Sequence, residues 1–401
     1  MRILFVSDSY YPHINGVYYF VCRVAPLLEK KGHQVAVIAP SETFFSTEKK
    51  IDGITVYGAP SLPIFYFPNI RIPISILLKS RIRRLINRFN PDLIHLQDHF
   101  LLASTTVAVN RELGIPVIAT NHFMPENFTA LIRNGYWKKK IEGFLWSRFS
   151  KLYNQVSLVT TPTETAARLI RPKLTTGVIP LSSGIDLTDF NPQGNTKKLR
   201  QKYSLPDKPV LLYAGRLDPE KKIDEILQAV ALALKQIDFC FVVVGKGIKG
   251  PALEKLAIDL GIDRQVIFTG FVPDRDLPYF YKLSRSFIIA STAELLSLCT
   301  LQAMATGLPI IAVNAGALPE LVHHKKNGLL FNTGDIQQMA NCIGELFTQD
   351  DLCKRMGEES LEMALSHDLA KTTESFETLY FRQAYKKEYT YTLQSFTAQR
   401  I

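Results

Sequence analysis

Short apolar runs alternate with longer stretches of helical spacing along this chain. The runs occupy residues 3–6, 35–38, 93–96, 116–120 and 156–160, then 210–213, 239–244, 266–269, 287–290 and 310–313. They are continuous and rich in Val, Ile, Leu and Phe, as in strands covered on both faces. Helical segments between them predict crossover connections and hence parallel sheets. The alternation occurs twice. It breaks between Asp189-Phe-Asn-Pro192 and Pro206-Asp-Lys-Pro209, a stretch rich in Pro and charge. The pattern predicts an α/β protein of two Rossmann-like domains at 1–190 and 191–375. A helical segment within 376–401 is expected to cross back onto the first. Ligands of such sheets bind beyond the carboxyl ends of the strands, so two facing domains would place a site in the cleft between them.

Length and composition fit this picture. A chain of 401 residues exceeds one ordinary core, and 46% hydrophobic content suits globular folding. Cys22, Cys240, Cys299, Cys342 and Cys353 have no paired or metal-like spacing, which suits a reducing compartment. The N-terminus runs straight into the first strand, without the pattern of a cleavable signal. No apolar run reaches the ~18 residues of a membrane span. Charge is unevenly placed. Residues 1–180 carry 22 Lys and Arg against 11 Asp and Glu, and the remainder 25 against 26. A basic half beside a neutral half points to an acidic surface as partner. No nucleic-acid motif accompanies it, which leaves anionic lipid, or a solvated basic face with no partner.

Several runs carry candidate chemistry. Residues 294–309 begin with Glu294, open an apolar stretch at Ser297-Leu298-Cys299-Thr300, and place Gln302 roughly two helical turns after Glu294. Backbone N–H groups at such a helix start suit a diphosphate, and the flanking polar side chains suit sugar and ribose hydroxyls. Arg216 and Lys222 share the loop after the run at 210–213. Arg offers a bidentate fork and Lys a mobile point charge, and both can reach a diphosphate; a solvated surface pair is the plain alternative. Gly16 follows the first strand and would admit a ligand close to backbone. His122 follows the run at 116–120, at a strand's carboxyl end where a side chain could face ligand. His95 lies on a strand and reads as a satisfied core residue, whereas Asp98 and His99 lie just beyond it and could face an acceptor. Gly245, Gly247 and Gly250 match the dinucleotide pattern of three spaced glycines. The next strand, however, ends in Thr269-Gly270 without an acid for a ribose.

Taken in order, these segments resemble the retaining family-4 glycosyltransferases of GT-B fold. In that family's motif two Glu residues flank seven others, and here the second Glu is Gln302. The resemblance implies roles. Gly16 would lie near the donor diphosphate. Arg216 and Lys222 would neutralise that diphosphate as it leaves. His122 would contact the donor sugar, and Glu294 would hold the transferred sugar's hydroxyls. Ser297, Leu298, Cys299, Thr300 and Gln302 would bind the nucleotide sugar, Gln302 by uncharged hydrogen bonds to the ribose. Ser183 stands where many relatives have Asn. The two cations would replace a divalent ion, so no metal and no cofactor is expected beyond a UDP-sugar donor.

The acceptor is suggested by the first domain. Residues 71–89 set Lys79, Arg81, Arg83, Arg84 and Arg88 among Ile and Leu. Residues 134–149 hold both tryptophans, and Trp137, Ile141, Phe144, Leu145 and Phe149 share one helical face. Lysines beside aromatics suit an interfacial helix; the plain alternative is a helix packed on the sheet. The runs 121–127 and 293–297 are similar to those of family members that glucosylate diacylglycerol. The expectation is a glycolipid synthase, peripheral on an anionic cytoplasmic membrane face, moving a hexose from a UDP-sugar to a lipid. A soluble acceptor, a nucleotide-sugar binder without turnover and an epimerase remain the alternatives, and neither the sugar nor the base is fixed.

Overall fold

The computed structural model describes residues 1–11, 15–64, 67–74, 76–125 and 135–385. The chain forms two compact units. One comprises Met1–Gly184 and the segment from Leu369 onward, the other Ile185–Asp368. Both divisions fall before the expected 190 and 375. Ile185 and Phe190, ahead of the Pro-rich stretch, are already buried in the second core. Leu369, Phe376 and Tyr380 are buried in the first.

The first unit is built on an eight-stranded sheet. Its strands in chain order are β1 (Arg2–Val6), β2 (Gln34–Pro40), β3 (Thr47–Ile51), β4 (Ile54–Ala59), β7 (Leu93–Leu96), β8 (Val117–Thr120), β9 (Leu158–Thr161) and β10 (Val178–Pro180). A hairpin of β5 (Ser61–Ile64) and β6 (Phe67–Pro73) stands apart from it. The sheet order is β10-β9-β8-β7-β1-β2-β4-β3, all parallel except the β3–β4 pair. Strand β3 carries the charged sequence Thr-Glu-Lys-Lys-Ile and lies at the edge, where charge guards an unpaired ladder. That charge is why no apolar run marks it.

The last helix, Leu369–Ala384, completes this unit. Phe376 and Tyr380 pack beside Phe20 of the helix Gly16–Lys30. Tyr380 OH lies 2.8 Å from His95 Nδ1, and His95 Nε2 lies 2.7 Å from Thr120 Oγ1. His95 is therefore a core residue, and burial pushes its pKa well below the usual histidine range. The expected helix at 376–396 thus begins earlier, and its part beyond 385 lies outside the described residues.

The second unit has β11 (Val210–Ala214), β12 (Cys240–Val244), β13 (Val266–Gly270), β14 (Ser286–Ile289), β15 (Ile310–Val313) and β16 (Gly328–Phe331) in the parallel order β13-β12-β11-β14-β15-β16. In each unit the first strand sits where the order reverses, β1 between β7 and β2, and β11 between β14 and β12. Connections diverge there, which opens a crevice at the carboxyl ends.

Tyr380→Phe removes the hydroxyl that meets His95 Nδ1 and leaves a buried ring nitrogen unpaired. The expected cost is about 1–3 kcal/mol of stability, read from urea unfolding.

Candidate functional site

Two loops leave the sheet of the second unit at its β11/β14 crevice. Tyr213 OH donates to the carbonyl of Arg216 across 2.9 Å, which ties the first loop to its own strand. The second strand's loop carries Glu294. Its backbone carbonyl accepts from Ala317 N–H at 3.0 Å, and Gly316, at φ +59°, lies so close that a Cβ would come within 3.0 Å of that carbonyl oxygen. Gly316 and Ala317 thus fix Glu294 from below.

Lys221 bridges the two loops. Its Nζ donates to Glu294 Oε1 at 2.6 Å, with the two side chains 19% and 13% exposed. The expected Lys222 does not make this contact. It adopts a left-handed conformation, φ +51°, where the short turn Pro219–Lys221 gives way to the helix Ile223–Ala233, and its ammonium turns to Glu225 Oε1 at 2.9 Å. The cation beside Glu294 is therefore Lys221, the neighbour of the expected Lys222. Spacing along the sequence could not choose between adjacent lysines; the turn geometry does. Arg216 stands 68% exposed, paired with Asp218 and, at 2.9 Å, with Glu220. Exposed pairs of this kind are weak, so an anion can displace the acids.

The helix Leu298–Ala305 starts at the same crevice. Ser297 caps it, with Oγ accepting from Thr300 N–H at 3.2 Å and from Thr300 Oγ1 at 2.8 Å. Thr300 is thereby drawn into the cap, and the Leu298 and Cys299 amides are the first-turn donors that the cap leaves over. Burial pushes the Cys299 thiol up to about 11, so it stays protonated. Gln302 points inward. Its Oε1 accepts from the buried Tyr281 OH at 2.9 Å. No pattern in the sequence pointed to Tyr281.

The three spaced glycines have another purpose. A Cβ on Gly245 would lie 1.9 Å from the Gly215 carbonyl oxygen, and one on Gly247 would lie 2.5 Å from the Leu217 backbone. Gly245 and Gly247 let the loop after β12 press on the Arg216 loop, so two of the three matched glycines serve packing.

In the first unit, Gly16 opens the helix Gly16–Lys30 behind Asn15, whose side chain accepts from Val17 and Tyr18 N–H at 3.1 Å each. Among the described residues a Cβ on Gly16 would meet nothing within 4 Å. His122 is part-buried, with Nε2 3.1 Å from Gln97 Oε1 and its ring 5.4 Å from that of Phe20. Since an amide oxygen only accepts, Nε2 carries the hydrogen and Nδ1 is the acceptor. Burial holds this imidazole down at about 4. Asp98 and His99, expected to face an acceptor, turn into the fold instead. Asp98 accepts from Asp8 N–H at 2.7 Å, and Asp8 accepts from Leu102 and Ala103 N–H at the start of the helix Leu101–Leu113. Burial raises both carboxyls. His99 packs on Phe100, Phe149 and Tyr153.

The helix Gly135–Tyr153 carries the aromatic face. Phe149 is buried, but Trp137 is 54%, Ile141 37% and Phe144 60% exposed. Its leading turns are mostly exposed. Residues 126–134, including part of the run at 121–127, lie outside the described residues. Among the described residues no three His, Cys, Asp or Glu side chains gather as metal ligands. No described helix is long and apolar enough to cross a membrane.

Proton NMR should find His122 neutral down to pH 5, with a midpoint near 4. A titration centred at the ordinary value of about 6.5 would contradict its burial.

Comparison with known proteins gives these loops a context. Residues 14–188 match the model for "Glycosyltransferase Family 4", and residues 195–363 that for "Glycosyl transferases group 1". The alpha-monoglucosyldiacylglycerol synthase of Streptococcus pneumoniae is 32% identical over 349 residues, 82% of this chain and 75% of the relative. A GDP-mannose-dependent alpha-mannosyltransferase of Mycobacterium tuberculosis is 26% identical over 340 residues, 84% of this chain and 85% of its own length. Among solved structures, HepE of Anabaena in complex with UDP superposes at a TM-score of 0.74 and 20% identity, over 94% of this chain and 99% of that one. Such a likeness carries the fold alone. Together with the two parallel sheets, these matches mean that the chain belongs to the family-4 glycosyltransferases of GT-B fold and is a hexosyltransferase.

Proposed function

We propose that this transferase moves glucose, with retention of configuration, from UDP-glucose or a close relative to a lipid such as diacylglycerol at the cytoplasmic face of an anionic membrane. The observation that carries the acceptor is the aromatic helix Gly135–Tyr153, held largely out of the core with Trp137 and Phe144 in solvent. Interfacial helices have this composition. The basic charge of residues 1–180 supports the same reading. On the helix Leu78–Phe89, Lys79 and Arg83 are engaged by Glu112 and Arg88 by Glu48. Arg81 and Arg84 enter no ion pair among the described residues. Similarity to a synthase named for glucosyldiacylglycerol points the same way.

The chemistry follows from charge. As the sugar–diphosphate bond breaks, negative charge grows on the leaving group and positive charge on the anomeric carbon. Arg216 exchanges Asp218 and Glu220 for the diphosphate, and Lys221 approaches it from the Glu294 side. The Leu298 and Cys299 amides add neutral donors. Being fixed by the helix, these amides stabilise the separation without reorganising. Glu294 receives sugar hydroxyls, and neutral His122 offers Nδ1 to another. The departing phosphate takes the acceptor's proton, so attack occurs on the face that the leaving group vacates. Two protein cations serve in place of a metal, and chelator should leave the rate unchanged.

A panel of radiolabelled UDP-glucose, UDP-galactose and GDP-mannose, offered with diacylglycerol vesicles or soluble acceptors, tests this directly. Organic-extractable product from UDP-glucose is expected. Product that stays in water overturns the lipid acceptor, and transfer from GDP-mannose alone overturns the donor.

The two adjacent lysines give an internal test. Lys221→Ala is expected to lower kcat/KM by about 10²–10³. Lys222→Gly should keep turnover and gain about 0.5–1 kcal/mol of stability, since glycine relieves the left-handed backbone. Thermal melting and initial rates read both.

A further inference from the structure

A second apolar surface lies on the first unit, away from the aromatic helix in sequence. The loop after β2 presents Phe44 at 62% and Phe45 at 77% exposure. It is not slack. The buried Ser41 Oγ lies 2.6 Å from the Thr43 carbonyl oxygen and 2.8 Å from that of Phe45, and Phe45 N–H donates to Thr43 Oγ1 at 3.2 Å. Ser61, at the start of the hairpin, donates its N–H to the Thr43 carbonyl at 3.2 Å, which joins loop and hairpin. Next along the hairpin, Leu62 and Ile72 oppose each other across the two strands, 44% and 53% exposed. Four apolar side chains thus stand in water on a hydrogen-bonded frame that keeps the phenylalanines from folding back. Singly exposed apolar residues are ordinary, but a braced group of four marks an interaction surface.

The sheet places this group. The loop follows β2 and the hairpin follows β4, both parallel to β1, so both leave the carboxyl edge of the sheet. The chain leading to Gly135–Tyr153 leaves the same edge after β8. In the order β8-β7-β1-β2-β4, the strands that the two segments follow lie on opposite sides of the β1/β7 crevice. Strand spacing separates β8 from β2 by about 14 Å.

We infer that Phe44, Phe45, Leu62 and Ile72 form a second contact with a bilayer of anionic phospholipid, so that the first unit meets the membrane at two points astride its crevice. Charge complementarity selects lipid as the occupant. Arg71, whose guanidinium donates to Ser61 Oγ and O at 2.8 and 2.9 Å, and exposed Lys50 form no ion pair among the described residues, and residues 41–89, from this loop through the hairpin to the end of the helix Leu78–Phe89, carry 8 Lys and Arg against 3 Asp and Glu. A second copy of this chain would bring the same positive charge to the contact. Two points of attachment fix orientation as well as proximity, so the crevice opens toward the lipid and an acceptor enters without crossing water. This inference rests on the lipid-acceptor reading above.

Full-length protein is floated with phosphatidylcholine vesicles with and without phosphatidylglycerol, as wild type, as Phe44→Ser/Phe45→Ser and as Leu62→Ser/Ile72→Ser. Each double variant is expected to lose about tenfold or more in partition to anionic vesicles, with melting temperature and UDP binding unchanged. Unchanged partition in both overturns the inference, as does a shift from dimer to monomer in sedimentation velocity with flotation intact, which would assign the surface to a second copy. Transfer to micellar diacylglycerol separates the two claims. Wild type that glucosylates micelles yet floats independently of these residues defeats the second contact alone. Absence of lipid product in micelles defeats the acceptor reading.

Discussion

The β11/β14 crevice of the second unit depends on the pairing of Lys221 with Glu294. A cation and a carboxylate sit on loops from adjacent strands, mostly sheltered from water. Neither could be held there alone, because a sheltered charge without a partner is costly. Each is the other's partner. The remaining loop geometry serves that pairing. Tyr213 pins one loop and Ala317 the other, and Gly316 permits the close approach. Arg216 has the opposite arrangement, exposed and held by two local acids from which it is easily drawn.

Much of this was legible in the chain. Ten apolar runs foretold the parallel strands, because β-branched and aromatic runs covered on both faces have no other use. Edge and terminal elements escaped, and so did the interior strand Ile54–Ala59. Thr47–Ile51 is charged, Val178–Pro180 is three residues long, and Gly328–Phe331 fits only because glycine lies against the Ile310 carbonyl. The domain limits were misplaced for a related reason: proline and charge mark where a linker is polar, whereas the cores are set by which apolar residue is buried on which side. Ile185 and Leu369 decide that, and neither stands out in the sequence.

The site was legible as a set of loops and less so as side chains. Glu294, Arg216, Ser297 and Gly16 stand where strand ends put them. The choice between Lys221 and Lys222 turned on one backbone torsion, which no composition or spacing encodes. Gln302 raised a question of charge, and its partner, Tyr281, comes from a helix twenty-one residues earlier. Asp98 looked available and is instead consumed by the fold, receiving Asp8 N–H while Asp8 secures the next helix. A polar residue just past a strand is a candidate for ligand contact, but the same place is where a fold must satisfy its own helix ends.

The return of the last helix to the first unit also bears on how the protein is made. Residues 1–184 leave the ribosome without Phe376 and Tyr380, so His95 lacks its hydroxyl partner during translation of the entire second unit. At about 5–20 residues per second that wait lasts roughly 10–40 s. The second unit, contiguous in the chain, can finish folding first although it is synthesised later. The earlier-made sheet is the one that must be kept from aggregation until the polypeptide is released.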